Sequence, residues 1–96
     1  MHYARIVVHT MHPAMADEAI TQVRADQLPL LQRQPGFVAY EIVDAGDSRL
    51  ISISTWESRE YAEASAPITG AWVRENVRAK IAASTQYGGD VAISSR

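Results

Sequence analysis

His9, Tyr40, Trp72 and Asn76 are the side chains whose types and spacing suit chemistry on a small planar molecule. Trp72 and Asn76 lie four residues apart, which places them on one side of a helix. There they offer an indole surface and an amide donor. Pockets for small molecules are mostly apolar with a few placed polar groups, and Tyr40, on a strand, is the expected facing wall. The alternative for this pair is plain core for Trp72 and a cap for Asn76. His9 shares a strand face with Arg5, which places it in an interface or at a cavity mouth; a hydrogen-bonding filler is its structural alternative. His2 and His12 flank it, but nothing in their spacing to Asp17 and Glu18 converges on a metal ion, so no metal site is expected. Arg5, Glu41, Ser52 and Ser54 form a polar set readable as an acid–base pair or as an ion pair in an interface.

Short elements must position these groups. "YARIVVHT" is rich in β-branched residues and predicts a first strand over about residues 2–10. Pro13 suits a first helical turn, and Asp17 and Glu18 suit the positive end of a helix dipole. Ala16, Ala19, Ile20, Val23, Leu30 and Leu31 follow helical spacing, with Pro29 expected to kink or shorten the helix near its end. Gly36 after Pro35 stops it. "FVAYEIVDAGDSRLISISTW" predicts a hairpin with a longer loop, "DAGDS", at its tip. The face Val38, Tyr40, Ile42, Ile51, Ile53 and Thr55 is almost wholly apolar and is expected against helices. The face with Glu41, Ser52 and Ser54 is expected, with Arg5 and His9, in an interface. Phe37 and Trp56 pair across the hairpin's open end. Ser58 is a candidate N-cap. Pro67 and Gly70 are expected to divide the following helical segment, whose second part runs from about Thr69 to Ala83. "STQYGGDVAISS" predicts a last strand with a bulge or close backbone approach at Gly88-Gly89.

The order strand, helix, strand, strand, helix, strand is the ferredoxin-like split βαβ pattern. The expected class is α+β: a four-stranded antiparallel sheet with two helices on one face. Residues 1–96 form one domain. The other face is left bare, and a second copy of the chain packed sheet to sheet is the expected cover, making a homodimer. A chain this short buries only about 65% of its unfolded surface, so association adds useful burial.

Composition narrows the classes further. The 96 residues are 47% hydrophobic and 21% charged, with net charge −2 and no cysteine. Disulfides and thiolate chemistry are excluded. The charge gives no reason to expect nucleic acid or an acidic membrane as partner. No apolar run approaches the roughly 18 residues of a membrane span, and the N-terminal residues lack the pattern of a signal peptide; a cytoplasmic protein is expected.

"QPGFVAYEIV", "RLISISTWESREYAEAS" and "GGDVAISS", in that order, resemble the antibiotic biosynthesis monooxygenase family. The most specific pieces are the Pro-Gly-Phe before the second strand and the Trp-Glu-Ser before the last helix. The resemblance implies a dimeric α+β barrel. It also implies a cofactor-independent monooxygenase acting on an electron-rich aromatic such as a quinol or polyphenol. A haem-degrading branch of the family uses a strand-one asparagine, a helix tryptophan and a later histidine. The corresponding positions here carry no asparagine on strand one, Ser65, and Glu75 or Asn76, so haem cleavage is not expected. On this reading His9 and Asn76 are catalytic, Tyr40 and Trp72 bind substrate, and no cofactor is needed. The rival is a non-catalytic homodimer that binds a small apolar metabolite.

Overall fold

A computed structural model describes all residues from Met1 to Arg96. Strand β1 (Tyr3–Met11) leads into helix α1 (Ala16–Gln22), a π-helical turn (Val23–Gln27) and helix α2 (Leu28–Gln32), which together make one helical arm. Strands β2 (Phe37–Gly46) and β3 (Arg49–Trp56) form the hairpin, helix α3 (Arg59–Asn76) is the second arm, and β4 (Ile81–Asp90) closes the sheet. The strand order is β2-β3-β1-β4, antiparallel throughout, with both helical arms on one face. This is the expected ferredoxin-like α+β arrangement.

Several local expectations change. Pro13 lies in a turn before the helix, with Ala14 at positive φ, and α1 starts only at Ala16. Pro29 does not end its arm. The ladder widens to a π turn immediately before it, because Pro29 has no N–H for the carbonyl four residues back. Pro67 and Gly70 do not divide α3, which runs unbroken through both. It stops at Asn76, well short of Ala83, and β4 accordingly starts three residues before the expected strand. Ser58 does cap α3, accepting from the Tyr61 N–H. At Gly88 the expected close approach is present: a Cβ there would overlap the Tyr3 side chain.

The largest correction concerns the hairpin. Its turn is only two residues, Asp47 and Ser48, both at positive φ (51° and 61°), which matches a type I′ turn and the right-handed strand twist. Gly46 then faces Arg49, but Asp44 faces Leu50, so Ala45 is an extra residue in β2. Without that bulge Tyr40 would face Thr55. With it, Tyr40 faces Ser54 and Ile42 faces Ser52. Cross-strand partners share a face, and a shift of one residue exchanges faces. Tyr40 and Ile42 therefore lie with Ser52, Ser54, Arg5 and His9 beneath the helices. Ile51 and Ile53 lie on the opposite face with Ile6, Val8, Val43 and Glu41. The expectation that Arg5, His9, Glu41, Ser52 and Ser54 share the outer face is overturned for all but Glu41.

The core is split in two. Met11, Ala19, Leu50 and Val77 form one buried cluster, joined by Trp72, Val73 and Ile81 among others. Leu31, Trp56 and Ala62 form the other, with Tyr3, Phe37 and Tyr40 packed on it. Phe37 and Trp56 meet edge to face with centroids 5.8 Å apart, the pairing the hairpin sequence predicts.

Candidate functional site

Between the two clusters lies a cavity of about 290 Å³. It exists because the middle of both layers is built from small residues. On β3 these are Ser52 and Ser54, and on α3 they are Ser65, Ala66, Thr69 and Gly70. None reaches across, whereas Trp56 and Leu50 close the space at either end of β3.

The floor follows from strand register. Arg5, Val7 and His9 alternate along β1. Arg5 faces Ser54, Val7 faces Ser52 and Gln86, and His9 faces Leu50 and Ser84. Polar groups thus gather on β1, β3 and β4, while Val23, Leu31, Ile42, Val73 and Val77 supply apolar wall on the β2 side and the helices. Ser84 and Gln86 are exposed, so the polar floor reaches solvent along the β4 edge.

His9 Nδ1 shares a 2.7 Å hydrogen bond with Ser84 Oγ, and burial lowers its pKa below the usual 6.5. The ring is therefore neutral at pH 7. In the tautomer whose Nδ1 donates to Ser84, Nε2 carries the free lone pair. Burial pushes the Tyr40 phenol up to about 12, against the smaller opposing effect of a hydrogen bond with Ser52. Tyr40 is thus a neutral donor at any physiological pH. The Gln86 amide, with its oxygen turned toward Arg5, accepts from Arg5 Nε at 3.2 Å and from Nη2.

Of the four residues singled out from sequence, His9 and Tyr40 line this cavity; Trp72 and Asn76 do not. Trp72 packs on the Met11 cluster. Asn76 Nδ2 donates to the Trp72 carbonyl at 2.9 Å, a bond within the last turn of α3. Helical spacing alone placed that pair on the inner side without saying how far along the sheet. Among the cavity residues, the sequence pattern points Arg5, Ser52 and Ser54 to an interface and singles out neither Ser84 nor Gln86. The alternation Ile51-Ser52-Ile53-Ser54 is the signal that a polar row runs along β3; the bulge at Ala45 decides that Tyr40 and Ile42 accompany it.

A second groove of about 200 Å³ adjoins the first. Val23, Tyr40 and Ile42 line both, and Arg24 and Asp44 border the groove on the side of the β2 edge. No three histidine or acidic side chains gather where they could hold a metal ion. No helix is long and apolar enough to cross a membrane.

No protein-family model matches the chain, and no curated protein sequence matches it. Solved structures do. SnoaB, a cofactor-independent oxygenase from Streptomyces nogalater solved as a point mutant, is 20% identical, with 97% of this chain and 95% of that one covered and a TM-score of 0.79. A protein of Chloroflexus aurantiacus described as an antibiotic biosynthesis monooxygenase is 19% identical, covering 98% and 96%, with a TM-score of 0.76. A mutant of MhuD, solved with two manganese protoporphyrin IX molecules per active site, is 18% identical, covering 96% and 96%, with a TM-score of 0.76. The chain therefore has the fold of the antibiotic biosynthesis monooxygenases. At these identities the likeness carries the fold, and function is argued from the site.

Proposed function

We propose that the cavity binds a small electron-rich aromatic, such as a quinol or polyphenol, and that the protein is a cofactor-independent monooxygenase. The observation that carries this reading is the placement of a neutral His9 and a neutral Tyr40 phenol around one apolar-walled space between sheet and helices. His9 Nε2 takes the proton of the substrate hydroxyl, and Tyr40 or a floor serine donates to the resulting phenolate. The phenolate is electron-rich enough to hand an electron to dioxygen directly. The reaction balances without another reductant. A hydroquinone and dioxygen give a hydroxyquinone and water: one oxygen atom enters at a ring C–H, the other leaves as water, and the substrate supplies all the electrons. The protein contributes desolvation, orientation and hydrogen bonds. The fold shared with SnoaB supports the reading at the level of class. Neither Trp72 nor Asn76 has a part in it.

Dioxygen uptake over a panel of quinols tests the proposal. A rate above the buffer background that depends on His9 supports it. Background rates across the panel end it for those substrates.

A non-catalytic binder of a small apolar metabolite is the second reading. It is favoured by the absence of any carboxylate around the cavity, which leaves His9 as the one candidate base. Ligand binding without turnover in the native protein, undiminished by His9→Gln, selects it.

In either case the active form is a homodimer. The outer sheet face carries Ile6, Val8, Ile51 and Ile53, with Val43 46% exposed and Tyr87 59% exposed. Helices cover only the other face, so a second copy packed sheet to sheet buries this one.

A further inference from the structure

Arg5 is the one formally charged residue around the main cavity. It is half-buried at the floor and has no carboxylate partner, since the chain's ion pairs are Arg59–Glu63 and Lys80–Glu18. A guanidinium carries five N–H donors. Gln86 takes two of them, from Nε and Nη2, along one edge. The end edge, with Nη1 and the other Nη2 hydrogen, keeps two parallel donors in the geometry that a carboxylate matches. Ser54 stands opposite Arg5 on β3, so a hydroxyl-bearing residue shares its part of the floor. A partly desolvated cation facing only neutral groups is costly until an anion joins it.

From this arrangement we infer that the cavity selects an organic anion: an aromatic body bearing a carboxylate, with the carboxylate on Arg5 and the ring toward Val23, Ile42 and Val73. This deepens the reading of the cavity as the substrate site and rests on it. Arg5 is then a specificity-determining residue: it holds the substrate's acidic group, while His9, four residues along the same strand face, addresses the hydroxyl. A neutral quinol lacks the group that Arg5 is furnished to hold.

The test is binding of a matched pair of non-oxidisable probes, 2-naphthoate and 2-naphthamide, by calorimetry or ligand-observed NMR. The probes cannot turn over, so the result is independent of oxygenase activity. The native chain is expected to bind the carboxylate at least about tenfold more tightly than the amide. Arg5→Gln is expected to bring the two within about twofold, mainly by weakening the carboxylate. In Gln86→Glu a carboxylate at an exposed position occupies Arg5 from the protein side. This substitution is expected to erase the preference without burdening the fold, and it decides the matter alone should Arg5→Gln not fold. Equal affinity for the two probes in the native chain, binding of neither, or a preference that survives the substitutions overturns the inference. A kept preference with no dioxygen uptake on any hydroxylated aromatic acid leaves Arg5 in its role and ends the oxygenase reading alone.

Discussion

His9 Nδ1 and Ser84 Oγ lie 2.7 Å apart, joining β1 to β4 across a directly opposed pair. That bond fixes the imidazole on the cavity floor, and burial keeps it neutral. His9→Gln is expected to lower kcat/KM by about 10²–10⁴-fold. The native pH–rate profile is expected to fall only below pH 6.5, because the folded state disfavours the imidazolium. The same shift affects stability. Between pH 6.5 and the lower folded pKa the unfolded chain binds more protons, so His9's contribution falls as pH drops through that window. A profile in His9→Gln with the same acid limb would assign that limb to another group.

Tyr40 titrates from the opposite side. Its phenol is held up to about 12, so one of the four tyrosines is expected to ionise near that pH in an ultraviolet titration. That component should vanish in Tyr40→Phe. The unfolded chain releases this proton near pH 10 and the folded chain does not, so the contribution to stability is lost as pH rises from about 10 toward 12.

Trp56 anchors the second core cluster, only 1% exposed, in a T-shaped contact with Phe37 and with its Nε1 donating to Ser54 Oγ at 3.0 Å. Trp56→Ala is expected to cost about 3–5 kcal/mol, a sizeable part of the stability of so small a domain. It also opens the cavity at that end. Chemical denaturation measures the loss; a cost below about 1 kcal/mol would show that the neighbours collapse into the space.

Gly36 and Gly46 form a matched experiment in backbone strain. Both have positive φ, 76° and 78°. A Cβ at Gly36 would strike the Tyr61 ring, whereas at Gly46 it meets nothing within 4 Å. Gly46→Ala is expected to cost about 1 kcal/mol from conformation alone, and Gly36→Ala clearly more. Thermal melts of the two variants give the order directly.

Ile53→Glu places a charge at the middle of the outer sheet face, opposite Ile6 and Glu41. On the proposed homodimer, it is expected to shift the protein from dimer to monomer in sedimentation while leaving the cavity floor intact. An unchanged sedimentation coefficient would remove this face from the interface.

How much of this was legible in the residues alone varies with the range of the interaction. The order of strands and helices, the Ser58 cap and the Phe37–Trp56 contact all rest on local chemistry: β-branched runs, helical spacing, a capping hydroxyl, aromatic neighbours at a hairpin's open end. These preferences act within a few residues, so they are written in the chain. Proline shows the limit of such local preferences. Pro29 and Pro67 each remove one local hydrogen bond, but the helices around them are held by packing on the sheet, and a π turn absorbs the first.

The site itself was decided in three dimensions. Asp47 and Ser48 make a tight turn, Ala45 bulges, and that one inserted residue puts Tyr40 beside Ser54 instead of Thr55. The residue types of the hairpin permit either register. Only the fit of β3 between β1 and β2, with Leu50 and Trp56 filling the two core clusters, selects the register that leaves Ser52 and Ser54 under the helices with Arg5 and His9. Sequence determined the elements because their causes are local; tertiary packing decided the cavity, because a void belongs to no residue and is what the surrounding side chains fail to fill.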